Sequence, residues 1–220
     1  MKNYFSQLLI CCIGVIPVYA QQPDPNFQLY ILAGQSNMAG RGYITDEFKN
    51  EGDSHVYMLT KDNKWVLAKH PVHFDKPTAG VGPGLTFGIA MAKDNPKVKI
   101  GLIPTAVGGS PIEHWLPGAY DAATKTHPYD DAVERIKFAM QYGVIKGIIW
   151  HQGESDSKPE QAKLYMARLK GLIERFRILV NNPKLPFIAG ELGHYRPEFA
   201  NINDEIVNLP AMVPYTAVAT

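Results

Sequence analysis

The chain has 220 residues, 45% of them hydrophobic, 20% charged and 10% aromatic. That composition describes a folded domain and excludes a disordered tail, a collagen-like repeat or a disulfide-dense miniprotein. Lys and Arg number 22 against 21 Asp and Glu, a formal charge of +1, so no net field favours nucleic acid or an anionic membrane as partner.

The first twenty residues stand apart. Lys2 gives a positive start, residues 8–18 are almost continuously apolar, and Val18-Tyr19-Ala20 has the small-x-small form of a secretory cleavage site. The apolar run is well short of the ~20 residues that span a bilayer. The expectation is a cleaved signal peptide over 1–20, a secreted or periplasmic product, and no stable membrane insertion after cleavage. A lipoprotein signal at Cys11 or Cys12 is disfavoured by the bulky Ile10. With both cysteines in the leader, no disulfide is expected in the domain. Residues 21–26 read as a short polar linker and 27–220 as the domain itself.

Short apolar runs then alternate with helical patterns. Strands are predicted over 28–33, 97–103, 145–150, 185–189 and 215–219, and a small hairpin over 55–59 and 64–67 about the turn-like Asp62-Asn63. Helical spacing marks 130–142 through Val133, Ile136 and Met140. It is clearest from Tyr165 through Leu169, Leu172, Ile173, Phe176, Leu179 and Val180. Ser157 and Glu160 have the spacing of a capping box at the start of that helix, Pro159 falls in its first turn, and Asn181-Asn182-Pro183 stops it. Such alternation predicts an α/β domain with a mostly parallel sheet covered on both faces, and sheets of that class bind ligands beyond the carboxyl ends of their strands.

Four polar or glycine-rich segments follow the apolar runs: Gly34-Gln35-Ser36-Asn37-Met38-Ala39-Gly40, the stretch 104–110 containing Gly108-Gly109-Ser110, His151-Gln152-Gly153-Glu154-Ser155-Asp156, and Glu191-Leu192-Gly193-His194. Their residue types suit acyl transfer. Ser36 sits at a strand-to-helix turn, where a hydroxyl is exposed and its own N–H can face a substrate oxygen. Gly108-Gly109 offers a further N–H, and Gln152 a carboxamide donor. Three donors about one point make an oxyanion hole, each worth about 3 kcal/mol.

Taken singly, each residue has a structural reading as well: Ser36 as a helix cap, the glycine pair as a turn, and Glu154 and Asp156 as first-turn acids. His151 and His194 read equally as structural histidines, and Trp115 and Tyr195 as core or rim aromatics. Their convergence on one sheet edge favours function. Ser36 lacks the glycine two residues later that a nucleophile elbow requires, 80–84 is no dinucleotide fingerprint, and no P-loop is present. His70 and His73 flank Pro71-Val72 and have no third partner in the sequence, so neither a metal nor a cofactor is expected.

The blocks Gly34-Gln35-Ser36-Asn37-Met38-Ala39-Gly40, Val107-Gly108-Gly109-Ser110 and Trp150-His151-Gln152-Gly153-Glu154-Ser155-Asp156 resemble the first three blocks of SGNH-type hydrolases, and more narrowly of the sialate O-acetylesterase and acetylxylan-esterase-like branch. The resemblance runs from about Phe27 to the end of the chain. It implies a flavodoxin-like three-layer fold and metal-free removal of O-acetyl groups from carbohydrate. Ser36 would be the nucleophile, and the oxyanion hole would use the N–H of Ser36, an N–H at Gly108 or Gly109, and Gln152. Glu154 would assist the catalytic histidine, and Trp115 would border the sugar, with Gln35, Asn37, His151 and His194 as further substrate-binding candidates.

The family's general base lies in a late Asp-x-x-His segment, which this sequence lacks. Three readings follow: the chain is a fragment truncated at its C-terminus, which is favoured; His151 or His194 has taken the base role; or the domain is a non-catalytic carbohydrate-binding module. A lipid or thioester hydrolase on the same fold would need an acyl-chain signature that is not evident.

Overall fold

Six successive residues at the end of the first strand, Leu29 to Gly34, are closed to solvent on both sides of the strand, as a central strand in a doubly covered sheet must be. The computed structural model describes residues 22–220, and the expected leader over 1–20 lies outside them. The first strand, β1 (Asp24–Gly34), is followed by the short helices α1 (Ser36–Ala39) and α2 (Asp46–Lys49) and by the hairpin β2 (Val56–Leu59) and β3 (Trp65–Leu67). Then come α3 (Pro83–Asp94), β4 (Lys99–Pro104), α4 (Pro128–Ala139), β5 (Gly143–His151) and α5 (Pro159–Leu179). The chain closes with β6 (Phe187–Gly190), α6 (Ala200–Ile206), α7 (Leu209–Met212) and β7 (Thr216–Ala219).

The strands form one seven-stranded sheet in the order β3-β2-β4-β1-β5-β6-β7. Every pairing is parallel except the β2–β3 hairpin. β1 sits between β4 and β5, so the connections leave it in opposite directions and a crevice opens at its carboxyl end, the place where open α/β sheets bind ligands. Successive residues of β1 point to opposite layers. Leu29 and Ile31 join Ile136, Leu169 and Phe176 beneath α4 and α5, with Ile202 of α6 in the same core. Tyr30 and Leu32 join Met38 and Leu85 beneath α1 and α3. The three-layer α/β architecture expected from the alternation is therefore the one observed. Among the described residues no helix is long and apolar enough to cross a membrane.

Several boundaries differ from the sequence reading. β1 begins at Asp24, inside the stretch expected as linker, because the Asp24 N–H donates to the Tyr142 carbonyl at 3.0 Å and extends the ladder. The helix α3 was not anticipated: its glycine-rich start hides the periodicity. The glycine at 84 answers to packing, since a Cβ there would stand 2.5 Å from the Leu32 side chain. The Ser157–Glu160 capping box does not form. Lys158 is the N-cap residue and caps nothing with its side chain, while Ser157 Oγ donates to the Glu154 carbonyl at 2.9 Å.

Arg135 of α4 ties the carboxyl ends of β2 and β4 together. Its guanidinium donates to the carbonyls of Pro104 at 3.0 Å, Leu59 at 2.8 Å and Thr60 at 3.2 Å, and lies 4.7 Å over the Phe74 ring. Deeper in the same layer Phe176 is wholly buried and packs against Tyr129 at 5.7 Å between centroids. Phe176→Ala should lower the unfolding free energy by about 3–5 kcal/mol, as lost burial plus a cavity, read as a shift of the urea midpoint at unchanged m-value.

Candidate active site

β1 ends at Gly34 with φ +132°, a conformation that side chains avoid, and a Cβ there would collide with the His151 carbonyl. The chain can therefore turn immediately at the strand end. The next N–H, that of Gln35, donates to the His151 carbonyl at 2.9 Å, and the Gly34 carbonyl accepts the Val107 N–H at 3.0 Å. These bonds dock the segments following β4 and β5 against the start of α1.

Side chains complete the junction. Gln35 Oε1 accepts from Gln152 Nε2 at 3.1 Å and from the Ser155 N–H at 3.4 Å. Asn37 Nδ2 donates to Glu154 Oε1 at 2.5 Å. Ser155 Oγ donates to the Gly109 carbonyl at 3.0 Å. Ser36 lies between the two tethered residues, as the first residue of α1. It is half-buried, and its hydroxyl and N–H have no partner among the described residues. Gly109, at φ +92° and exposed, likewise makes no hydrogen bond through its N–H.

His151 closes β5 on the same edge, its side chain 21% exposed and its Nδ1 4.0 Å from Glu154 Oε1. Its ring leans on Gly190 of β6, where a Cβ would stand 2.7 Å from Cδ2. His194, beyond β6, is 80% exposed, with Nε2 3.6 Å from Glu191 Oε2.

Four expected site residues are placed otherwise than their proposed roles require. Gln152 is only 1% exposed, and its carboxamide nitrogen already faces three acceptors: Gln35 Oε1, the Ser110 carbonyl at 3.2 Å and Asp156 Oδ2 at 2.5 Å. Two N–H bonds cannot serve three internal oxygens and a substrate as well, so Gln152 is a buried tie and not an oxyanion donor. The Gly108 N–H is spent on Asp75 Oδ2 at 2.9 Å, leaving Gly109 as the free amide of the pair. Gln35 is buried and its oxygen is used internally, so it does not line a sugar site. Trp115 does not border one either: it is fully buried, edge-on to Trp150 at 5.1 Å, and donates through Nε1 to Ser110 Oγ at 3.1 Å.

Asp156 stands beneath this edge. It is fully buried, and its Oδ2 also accepts the Ile112 N–H at 2.9 Å. Burial raises its pKa, opposed by the hydrogen bonds from Gln152 and Ile112 and by the charge of Arg168. The Gln152 carbonyl accepts from Tyr165 of α5 at 2.7 Å, and Trp150 Nε1 donates to the same hydroxyl at 3.0 Å. The sequence marks Tyr165 only as part of a helical period and gives no sign of Asp75 as a site residue. For Arg41 the one sign is that it directly follows the Gly34–Gly40 block.

His70 and His73 have protein partners of their own. His70 Nε2 lies 3.0 Å from Glu51 Oε2, and His73 Nε2 lies 3.4 Å from the Leu32 carbonyl. Among the described residues no group of three or more His, Cys, Asp or Glu could hold a metal ion.

The fold and this edge together define a three-layer α/β domain of the esterase type, with a serine on the turn after its central strand. The chain belongs to the carbohydrate esterase family of sialic acid-specific acetylesterases, whose sequence model matches residues 26–220. A probable carbohydrate esterase of Arabidopsis thaliana is 35% identical over 188 residues, covering 76% of this chain and 70% of the plant protein. The crystal structure of that plant protein superposes with a TM-score of 0.76 at 30% identity, over 89% of this chain and 85% of the other. NanS matches with a TM-score of 0.69 at 17% identity, over 88% of this chain and 77% of its own. A carbohydrate acetylesterase from Xanthomonas citri matches at 0.63 and 18%, over 87% of this chain and 49% of its own. At those two identities the likeness is one of fold.

His73 supplies a pH dependence. Burial pushes its pKa down to about 4, against the Leu32 carbonyl and the charge of Asp75, which pull it up. Between that value and the ordinary ~6.5 the unfolded chain binds the proton and the folded chain does not, so stability falls as pH drops through this window. From pH 7 to pH 4 the native protein should lose about 3 kcal/mol more than His73→Gln, measured by urea unfolding at each pH.

Proposed function

We propose that this protein is a carbohydrate O-acetylesterase that works through an acyl-serine intermediate on Ser36. The observation that carries the reading is the unengaged Ser36 hydroxyl at the end of the central strand, held between two residues that are each hydrogen-bonded to the segment after β5. In this reading Ser36 Oγ attacks the acetyl carbonyl carbon and gives up its proton. The N–H groups of Ser36 and Gly109 donate to the oxygen as it becomes negative, and the sugar alcohol leaves on taking a proton. Water then attacks the acetyl-serine and releases acetate.

Glu154, fixed by Asn37, places a carboxylate 4.0 Å from His151 Nδ1. His151 and His194 are the histidines at this edge, and the described residues contain no Asp-x-x-His segment. The family match supports an acetylated carbohydrate as substrate. The leader pattern in residues 1–20 supports action outside the cytosol. A non-catalytic binding module is the weaker reading, because nothing at this edge occupies the Ser36 hydroxyl.

Ser36→Ala should lower kcat on an aryl acetate and on an acetylated sugar by at least about a thousandfold. The wild-type protein mixed rapidly with excess aryl acetate should carry one acetyl group on the peptide containing Ser36, found by mass spectrometry. Turnover that survives the substitution would end the serine mechanism.

A further inference from the structure

Behind the turn that carries Gly109, a partly buried ion pair joins three segments. Asp75, in the loop after β3, has a side chain only 3% exposed and meets Arg41 Nη2 through Oδ2 at 2.5 Å. Its Oδ1 lies 3.4 Å from Arg41 Nη1, which also donates to the Gly40 carbonyl at 2.7 Å. The same Oδ2 accepts the Gly108 N–H at 2.9 Å. Arg41 thus anchors the carboxylate to the chain leaving α1, and the carboxylate anchors the 107–110 turn. There is no room for a side chain at 108: a Cβ would strike Arg41 and come within 2.7 Å of Asp75 Oδ2.

A charge-assisted bond to a buried carboxylate is among the stronger links a backbone amide makes, and the guanidinium fork fixes the direction of that carboxylate. Arg41 and Asp75 touch neither Ser36 nor, in the reading above, the substrate carbonyl. They act on the turn. With the Gly108 amide held from behind, the unengaged amide of the pair is that of Gly109, on the residue whose carbonyl is held by Ser155.

We propose that Asp75, oriented by Arg41, is a positioning residue that fixes the Gly108-Gly109 turn and thereby presents the Gly109 N–H to the developing oxyanion. The proposal rests on the acyl-serine reading for its catalytic half. Its structural half, the Asp75 grip on the Gly108 amide, can be read without any turnover.

The test combines kinetics with amide hydrogen exchange on Asp75→Ala, Asp75→Asn and Arg41→Lys in the full chain. Asp75→Ala should lower kcat on an aryl acetate by about a hundredfold, the scale of a displaced catalytic donor, with KM changed less than about twofold. Asn retains an acceptor for the Gly108 amide, so Asp75→Asn should recover most of that loss. Adding Arg41→Lys to Asp75→Ala should cost little more, because both act through one link.

Exchange at Gly108 should be slow in the wild type and in Asp75→Asn, and fast in Asp75→Ala. A folded Asp75→Ala with wild-type kcat, or with Gly108 exchange unchanged, would overturn the proposal. Should Asp75→Ala not fold, a rate in Asp75→Asn no higher than in Ser36→Ala would overturn it equally, since the retained acceptor would then rescue nothing. Turnover independent of Ser36 would instead remove the acyl-serine reading and with it the catalytic half, while exchange at Gly108 would still report whether Asp75 holds the turn.

Discussion

The carboxyl end of β1 has to dispose of backbone groups that its neighbours no longer pair, and it does so by giving them to two other parts of the chain. The Gly34 carbonyl takes the Val107 N–H, and the Gln35 N–H goes to the His151 carbonyl. Buried amides and carbonyls must find partners, so these bonds are a condition of burying the strand end at all. They also join segments more than 70 and more than 110 residues apart. The junction on which Ser36 stands is a by-product of finishing the central strand properly, and it needs a glycine at 34 to be sterically possible.

A second layer of polar groups lies under that junction. Gln35, Gln152 and Asp156 form a buried set in which one carboxamide faces three oxygens. Such a set costs desolvation, offset by the bonds its members make to one another and to the main chain, while Gln152 Oε1 and Asp156 Oδ1 are left without a hydrogen-bond partner among the described residues. Its value to the site is rigidity: the side chains look inward and fix the backbone of the segments that bear Ser36 and Glu154. The edge above it presents the Ser36 hydroxyl, the unengaged Ser36 and Gly109 amides and the Asn37–Glu154 pair.

The sequence made the centre of the sheet legible because β1 and β4 are buried on both faces and so read as unbroken apolar runs, and α5 legible because its apolar residues keep a helical period from Tyr165 onward. The helix α3 escaped because a glycine occupies a contact position against Leu32 where a large apolar residue would have marked the period. Position along the chain revealed that Ser36, Gly109 and Glu154 would share an edge, since each follows a strand. The direction of a side chain was not legible. Gln152 reads as a donor until Asp156 and the Ser110 carbonyl are seen to claim its nitrogen. Trp115 reads as a sugar platform until Trp150 is seen to cover it. The Arg41–Asp75 pair spans 34 residues with no local pattern, and only the fold brings it together.

The Tyr165 hydroxyl has a consequence of its own. It accepts from Trp150 and donates to the Gln152 carbonyl, so the longest helix among the described residues is bolted to the floor beneath Ser36 through one phenol. Motion of α5 at that point is felt directly by the backbone beneath Ser36, so the helix and the turn that carries the serine share one anchor and do not rest on separate ones.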